Sequence, residues 1–130
     1  MGRQMARVVV VEDEIQVLML AESVLQQVGH ETMDARTVAE GQAIINSKDE
    51  KFDLLFTDIH LGNHPEGGLT LGKLIEATRQ GTPVLYTSAN PATDGMQSLF
   101  VQPSAFLAKP YTAQELIDAV AARVQKRFMR

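Results

Sequence analysis

Arg7-Val8-Val9-Val10-Val11-Glu12-Asp13-Glu14 is the stretch on which the fold turns. Four consecutive valines are β-branched throughout, which favours strand over helix. A strand apolar at every position, rather than at alternate ones, is buried on both faces. That is the condition of a strand inside a parallel sheet covered by helices. The acids that end the run put charge where the chain leaves the sheet.

Working outward, the pattern alternates. From Glu14 to Val28 the apolar residues fall at 15, 18, 21, 24, 25 and 28, a helical spacing that stops at Gly29. Glu31–Ala35 is a polar strand suited to a sheet edge. Thr37–Asn46 reads as a helix with Thr37 as N-cap and Glu40 completing a capping box. Phe52–Thr57 is a second apolar strand, ending at Asp58. Gly62, Pro65, Gly67 and Gly68 mark a loop before a helix at Leu69–Arg79, with Leu71, Leu74 and Ile75 inward. Pro83–Thr87 is a strand, Ser88–Asp94 a loop, Met96–Val101 a short helix and Ala105–Ala108 a strand. Thr112–Phe128 is the clearest helix, with Thr112 and Glu115 as a second capping box and Leu116, Ile117, Val120 and Val124 on one face. Five βα units in 130 residues predict an α/β protein. The economical arrangement is a flavodoxin-like, doubly wound, five-stranded parallel sheet of strand order 2-1-3-4-5 with helices on both faces. With the last helix running to about Phe128, the expectation is one domain over 1–130, its core at about 6–127, and no output domain.

Composition narrows the function. The chain has no cysteine, which excludes disulfide scaffolds, thiolate metal sites and cysteine nucleophiles. No apolar run is long enough to span a bilayer and no secretory leader precedes Arg7, so a cytoplasmic protein is expected. The net charge is −4, and Arg123, Lys126, Arg127 and Arg130 crowd the last eight residues, leaving eight bases against sixteen acids before them. An acidic body argues against DNA binding. The terminal bases read as complements to the C-terminal end of the last helix.

In a doubly wound sheet, ligands bind beyond the carboxyl ends of the strands. The first strand ends in Glu12-Asp13-Glu14, the third in Asp58, the fourth in Thr87-Ser88 and the fifth in Lys109. Carboxylates brought this close repel unless a cation shares them. An all-oxygen set suits Mg²⁺ or Mn²⁺, and a lysine with a hydroxyl beside such a metal can hold phosphoryl oxygens. Any one of these residues alone is more often a solvated loop charge or a cap; it is their conjunction at four strand ends that carries weight. His60 and His64 read as exposed loop residues and His30 as a surface cation or acceptor.

Val-Val-Val-Val-Glu12-Asp13-Glu14, Leu-Leu-Phe-Thr-Asp58, Tyr-Thr-Ser88-Ala89 and Phe106-Leu-Ala-Lys109-Pro110 together resemble a response-regulator receiver domain of two-component signalling, over about residues 6 to 127. The resemblance implies that Asp58 is the phosphoacceptor, that Asp13 binds Mg²⁺ directly and that Glu12 acts mostly through metal-bound water. It makes the His60 backbone carbonyl the remaining protein ligand. Ser88 would be the switch hydroxyl, Lys109 the phosphoryl-contacting lysine and Phe106 the aromatic whose rotamer reports activation. Lys109-Pro110 matches the family's peptide bond that is usually cis. Three features depart from the common pattern: Glu12 stands for Asp, Leu61-Gly-Asn-His-Pro-Glu-Gly-Gly68 is about two residues longer than usual, and Phe106 has no hydroxyl. The long loop with Tyr86-Thr-Ser88 and Lys109-Pro-Tyr111 is similar to receivers paired with HWE-type kinases in alphaproteobacteria.

The function implied is a single-domain response regulator, phosphorylated on Asp58 by a histidine kinase or a histidine phosphotransfer protein. It would catalyse its own phosphorylation and dephosphorylation without being a turnover enzyme. Signalling would pass to a protein partner, or form a phosphorylation-dependent dimer, through the face built from 96–128; a phosphate sink is the alternative. Two rivals remain distinguishable. A flavin carrier would be yellow and would need a phosphate loop where Glu12-Asp13-Glu14 stands. An aspartyl phosphohydrolase would carry an acid where His60 stands and would turn over phosphate esters.

Overall fold

Five parallel strands, each five residues long, alternate with helices in the computed structural model, which describes residues 5–128, with side chains as far as Val124. In chain order they are β1 (Arg7–Val11), α1 (Ile15–Gln27), β2 (Glu31–Ala35), α2 (Val38–Asn46), β3 (Leu54–Asp58), α3 (Gly67–Thr78), β4 (Val84–Ser88), α4 (Asp94–Gln97), β5 (Ser104–Ala108) and α5 (Ala113–Phe128). The sheet order is β2-β1-β3-β4-β5, the doubly wound arrangement expected from the sequence. The valine run explains itself here. Val8 and Val10 pack with Leu18, Leu25, Leu116, Val120 and Val124 of α1 and α5. Val9 and Val11 join Ile45, Leu71 and Ile75 of α2 and α3 on the opposite face.

Several boundaries differ from the sequence reading, each for a local reason. Helix α3 begins at Gly67 rather than Leu69 because the glycines serve close packing instead of breaking the helix. A Cβ on Gly68 would collide with the Asp58 carbonyl oxygen, and one on Gly67 would lie 2.7 Å from Val38 Cγ2. Strand β3 begins at Leu54 rather than Phe52, since the Phe52 ring lies under the Arg79 guanidinium and the Asp53 carboxylate accepts the Arg7 N–H. Helix α4 is a single turn at Asp94–Gln97, capped by Thr93, and not Met96–Val101. Phe100 and Val101 are instead drawn inward against Tyr86.

Individual residues differ as well. Ile15 is exposed, leaving Leu18, Ala21 and Leu25 as the buried row of α1. The Thr112–Glu115 box is fully reciprocal, whereas Glu40 returns its carboxylate to the N–H of Arg36 rather than of Thr37. His30 is buried, not at the surface, and its Nδ1 accepts the Ala6 N–H at 3.0 Å. Arg123, expected to complement the C-terminal end of the last helix, donates to the Ser104 carbonyl of β5 at 3.2 Å. Lys126, Arg127 and Arg130 lie outside the residues whose side chains are described.

Candidate functional site

The backbone ladder continues one step past the strands and so fixes the residues at their carboxyl ends. Glu12 N–H donates to the Ala35 carbonyl at 3.0 Å, Ile59 N–H to Thr87 at 2.9 Å, and Lys109 N–H to Ser88 at 3.0 Å. Glu12, Asp58, Ser88 and Lys109 therefore leave the sheet at one level, around the switch point between β1 and β3. They open on a crevice of about 240 Å³, bordered by Asp13, Glu14, Asp58, His60, Ser88, Ala89, Asn90 and Lys109.

Carboxylate oxygens of Glu12, Asp13 and Asp58 lie within 4.8 Å of one another. The Lys109 ammonium bridges two of them, at 2.7 Å from Glu12 Oε1 and 2.7 Å from Asp58 Oδ2. Three of the other four oxygens take backbone donors: Glu14 N–H to Glu12 Oε2 at 3.2 Å, His60 N–H to Asp58 Oδ1 at 3.3 Å and Gly62 N–H to Asp13 Oδ2 at 3.1 Å. Ser88 is buried and its Oγ accepts the Asn90 N–H at 3.0 Å.

The charge balance is unequal. Burial pushes the Glu12 carboxyl up to about 7, against the hydrogen bond from Lys109, which pulls it down, and with the Asp58 charge raising it further. Burial alone would lower the Lys109 ammonium, but its hydrogen bonds to Asp58 and Glu12 outweigh that and hold it above the ordinary lysine range. Tyr111 is pushed up to about 12 by burial and then by the Glu12 charge. Three carboxylates against one ammonium leave a small, all-oxygen cluster short of positive charge. The donor set fits a hard divalent cation.

The residues singled out from sequence at the strand ends therefore meet. His60 and His64 are exposed, as expected of the loop. Lys109–Pro110 is cis, and so is Gln102–Pro103, on which the sequence reading was silent. Phe106 is half-buried and does not stand alone: its ring centroid is 6.1 Å from Phe100, which stacks 4.2 Å from Tyr86. The sequence reading gives Tyr86 no role beyond its motif and misses Phe100. Tyr86 is fully buried and its hydroxyl accepts the Val101 N–H at 3.2 Å. A tyrosine following Val84-Leu85 in a predicted strand was the available signal, since a buried phenol needs a partner.

Comparison with known proteins bears on the site. Residues 8–121 match the family model described as "Response regulator receiver domain". The chain is 33% identical over 129 residues to the response regulator protein PilR of Pseudomonas aeruginosa, covering 98% of this chain and 27% of that protein. It thus spans about a quarter of that relative's length. A response regulator receiver protein from Sinorhizobium medicae is 25% identical, with a TM-score of 0.83 over 93% of this chain and 95% of the other. NtrX from Brucella abortus is 28% identical, with a TM-score of 0.81 over 95% of this chain and 28% of the other. Among the described residues, no helix is long and apolar enough to cross a membrane.

Proposed function

Because this chain belongs to the response regulator receiver family, we propose that it takes a phosphoryl group onto Asp58 from a histidine kinase or histidine phosphotransfer protein. The observation that carries the reading is the Lys109 ammonium, 2.7 Å from both Asp58 and Glu12 inside a cluster still short of positive charge. Asp13, Asp58 and the His60 carbonyl would hold Mg²⁺, with Glu12 bound through water. When bound, the ion supplies positive charge to the phosphoryl oxygens.

The protein's own groups do the rest. An Asp58 carboxylate oxygen attacks phosphorus in line; the new O–P bond forms as the N–P bond to the donor imidazole breaks, and the imidazole leaves. Lys109 exchanges one carboxylate contact for a phosphoryl oxygen. Ser88 gives up its contact with Asn90 and donates its hydroxyl proton to another. That motion draws the segment after β4 toward the crevice. Phosphorylation changes the protein's own surface; the group is not passed to a series of substrates.

This chemistry calls for two faces. The donor must reach the crevice beside Glu14, and α1 continues from there with Ile15, Met19 and Leu20 at 44%, 61% and 65% exposure. We assign this apolar face to the histidine-bearing donor. The readout face is the segment 96–101 with β5 and α5: α4 has no buried residue and β5 is at best half-buried. It contacts a downstream protein partner or a second phosphorylated copy. Hydrogen exchange with and without beryllofluoride tests the readout. Changes should concentrate at 88–111 and vanish in Asp58→Asn; changes confined to 62–68 would contradict it.

A further inference from the structure

The turn after β3 has no part in that chemistry, yet it is built with care. Leu61 is 1% exposed and anchors it in the core. Leu61 and His64 exchange both backbone hydrogen bonds, at 2.9 and 2.8 Å, closing the chain around Gly62-Asn63. Gly67 packs beneath it, where a Cβ would lie 3.1 Å from Leu61 Cβ and 3.3 Å from His64 Cβ. Gly62 has φ +56° with open space where a side chain would stand, so it is its left-handed conformation, not its size, that favours glycine here. The result is one N–H aimed out of a fixed turn at Asp13 Oδ2, 3.1 Å away.

Asp13 has particular need of it. Glu12 and Asp58 are held by Lys109, but among the described residues the Gly62 amide is the only donor to the Asp13 carboxylate. That bond takes one lone pair of Oδ2 and fixes the carboxylate's orientation, while Oδ1 accepts no hydrogen bond among the described residues and stands open to a cation. Calcium readily takes both oxygens of a carboxylate and six to eight ligands in all, whereas magnesium requires a small octahedron and takes one oxygen from each.

We propose that the Leu61–His64 turn is a positioning element that holds Asp13 in single-oxygen presentation and so biases the crevice toward Mg²⁺ over Ca²⁺. This rests on the reading that the carboxylate cluster binds Mg²⁺. The Gly62 amide acts through Asp13 and touches no reacting atom.

The test is calorimetric titration of Mg²⁺ and of Ca²⁺ into the unphosphorylated protein and its variants, with melting in EDTA as the folding control. Valine is excluded from the left-handed region that asparagine tolerates. Gly62→Val should weaken Mg²⁺ binding roughly tenfold while changing Ca²⁺ binding by no more than about twofold. Gly62→Asn should retain the wild-type ratio. If Gly62→Val fails to fold, Gly62→Ala provides the same comparison with milder strain and about a threefold effect. A Mg²⁺/Ca²⁺ ratio unchanged in the strained variant overturns this inference alone, provided wild type binds Mg²⁺ and Asp13→Asn does not. Wild type without Mg²⁺ affinity, or Asp13→Asn binding as tightly as wild type, overturns the underlying reading.

Discussion

The two edges of the sheet treat charge in opposite ways. At the N-terminal edge, Arg7 donates to the Lys51 carbonyl at 2.9 Å and lies near Glu31 and Glu50, while its backbone N–H binds Asp53. On the same edge Arg79 donates to the Ile45 and Ser47 carbonyls at 2.9 and 2.7 Å and lies 4.3 Å over the Phe52 ring. Those charges are spent on structure, closing the end of α2 against the sheet. At the C-terminal edge three carboxylates cluster around a single ammonium that reaches only two of them, Glu12 and Asp58. Charge balanced within the protein stabilises it; charge left over is a capacity to bind. The same sheet separates the two by its length.

The largest effect should come from breaking the balanced edge. Arg79→Ala removes the carbonyl contacts and the ring stacking, a loss of about 3 kcal/mol, which lowers Tm by roughly 10 °C in a domain of this size. Phosphorylation at a temperature where the variant is folded should be unimpaired. Lost labelling in a folded Arg79→Ala would join the two edges and break the comparison.

Next in size is the unbalanced edge given its missing charge. Mg²⁺ at a hundred times its Kd should add about 2.7 kcal/mol, read as a rise in Tm. Asp13→Asn should remove most of that rise. An equal rise in the variant would place the ion elsewhere.

A slightly smaller effect is expected from Glu12. Its carboxyl titrates near 7 in the folded protein, against 4.5 for an ordinary glutamate. Between those values the folded state binds a proton that the unfolded chain has released, so stability falls as pH rises. In EDTA, Tm should drop by several degrees from pH 4.5 to 7, roughly 2 to 3 kcal/mol for a shift of this size. The slope should disappear in Glu12→Gln, and Mg²⁺ should oppose it by favouring the ionised carboxylate. A slope of the opposite sign in metal-free protein would refute the unequal balance.

Smallest in stability is Met19→Glu on the exposed face of α1, which should shift it by less than about 0.5 kcal/mol. It should slow transfer from the kinase while leaving labelling by a small phosphodonor unchanged. Equal loss with both donors would mean that this face does not serve docking.

How much of this could be read in the sequence depended on the range of the interactions. The valine run, Gly29 and the Thr112–Glu115 box are local signals, and each gave its element nearly to the residue. Strand topology then carried Glu12, Asp13, Asp58, Ser88 and Lys109 to one edge, because parallel strands bring their C-terminal ends together. Partnerships across the fold were not legible. The sequence spacing gives no hint that Arg79 lies on Phe52, that Tyr86 holds Val101, or that Gly62 donates to Asp13. Gly67 and Gly68 misled for the same reason: a glycine needed for contact with a neighbouring element looks, in sequence, like one that breaks a helix.

The central claim, that Asp58 is the nucleophile of the unbalanced edge, is tested most directly by intact-protein mass after reaction with a phosphoramidate and Mg²⁺. The account predicts a single phosphoryl adduct, dependent on Mg²⁺, released by hydroxylamine as an acyl phosphate must be, and absent in Asp58→Asn. An adduct of the same stoichiometry in Asp58→Asn would contradict it.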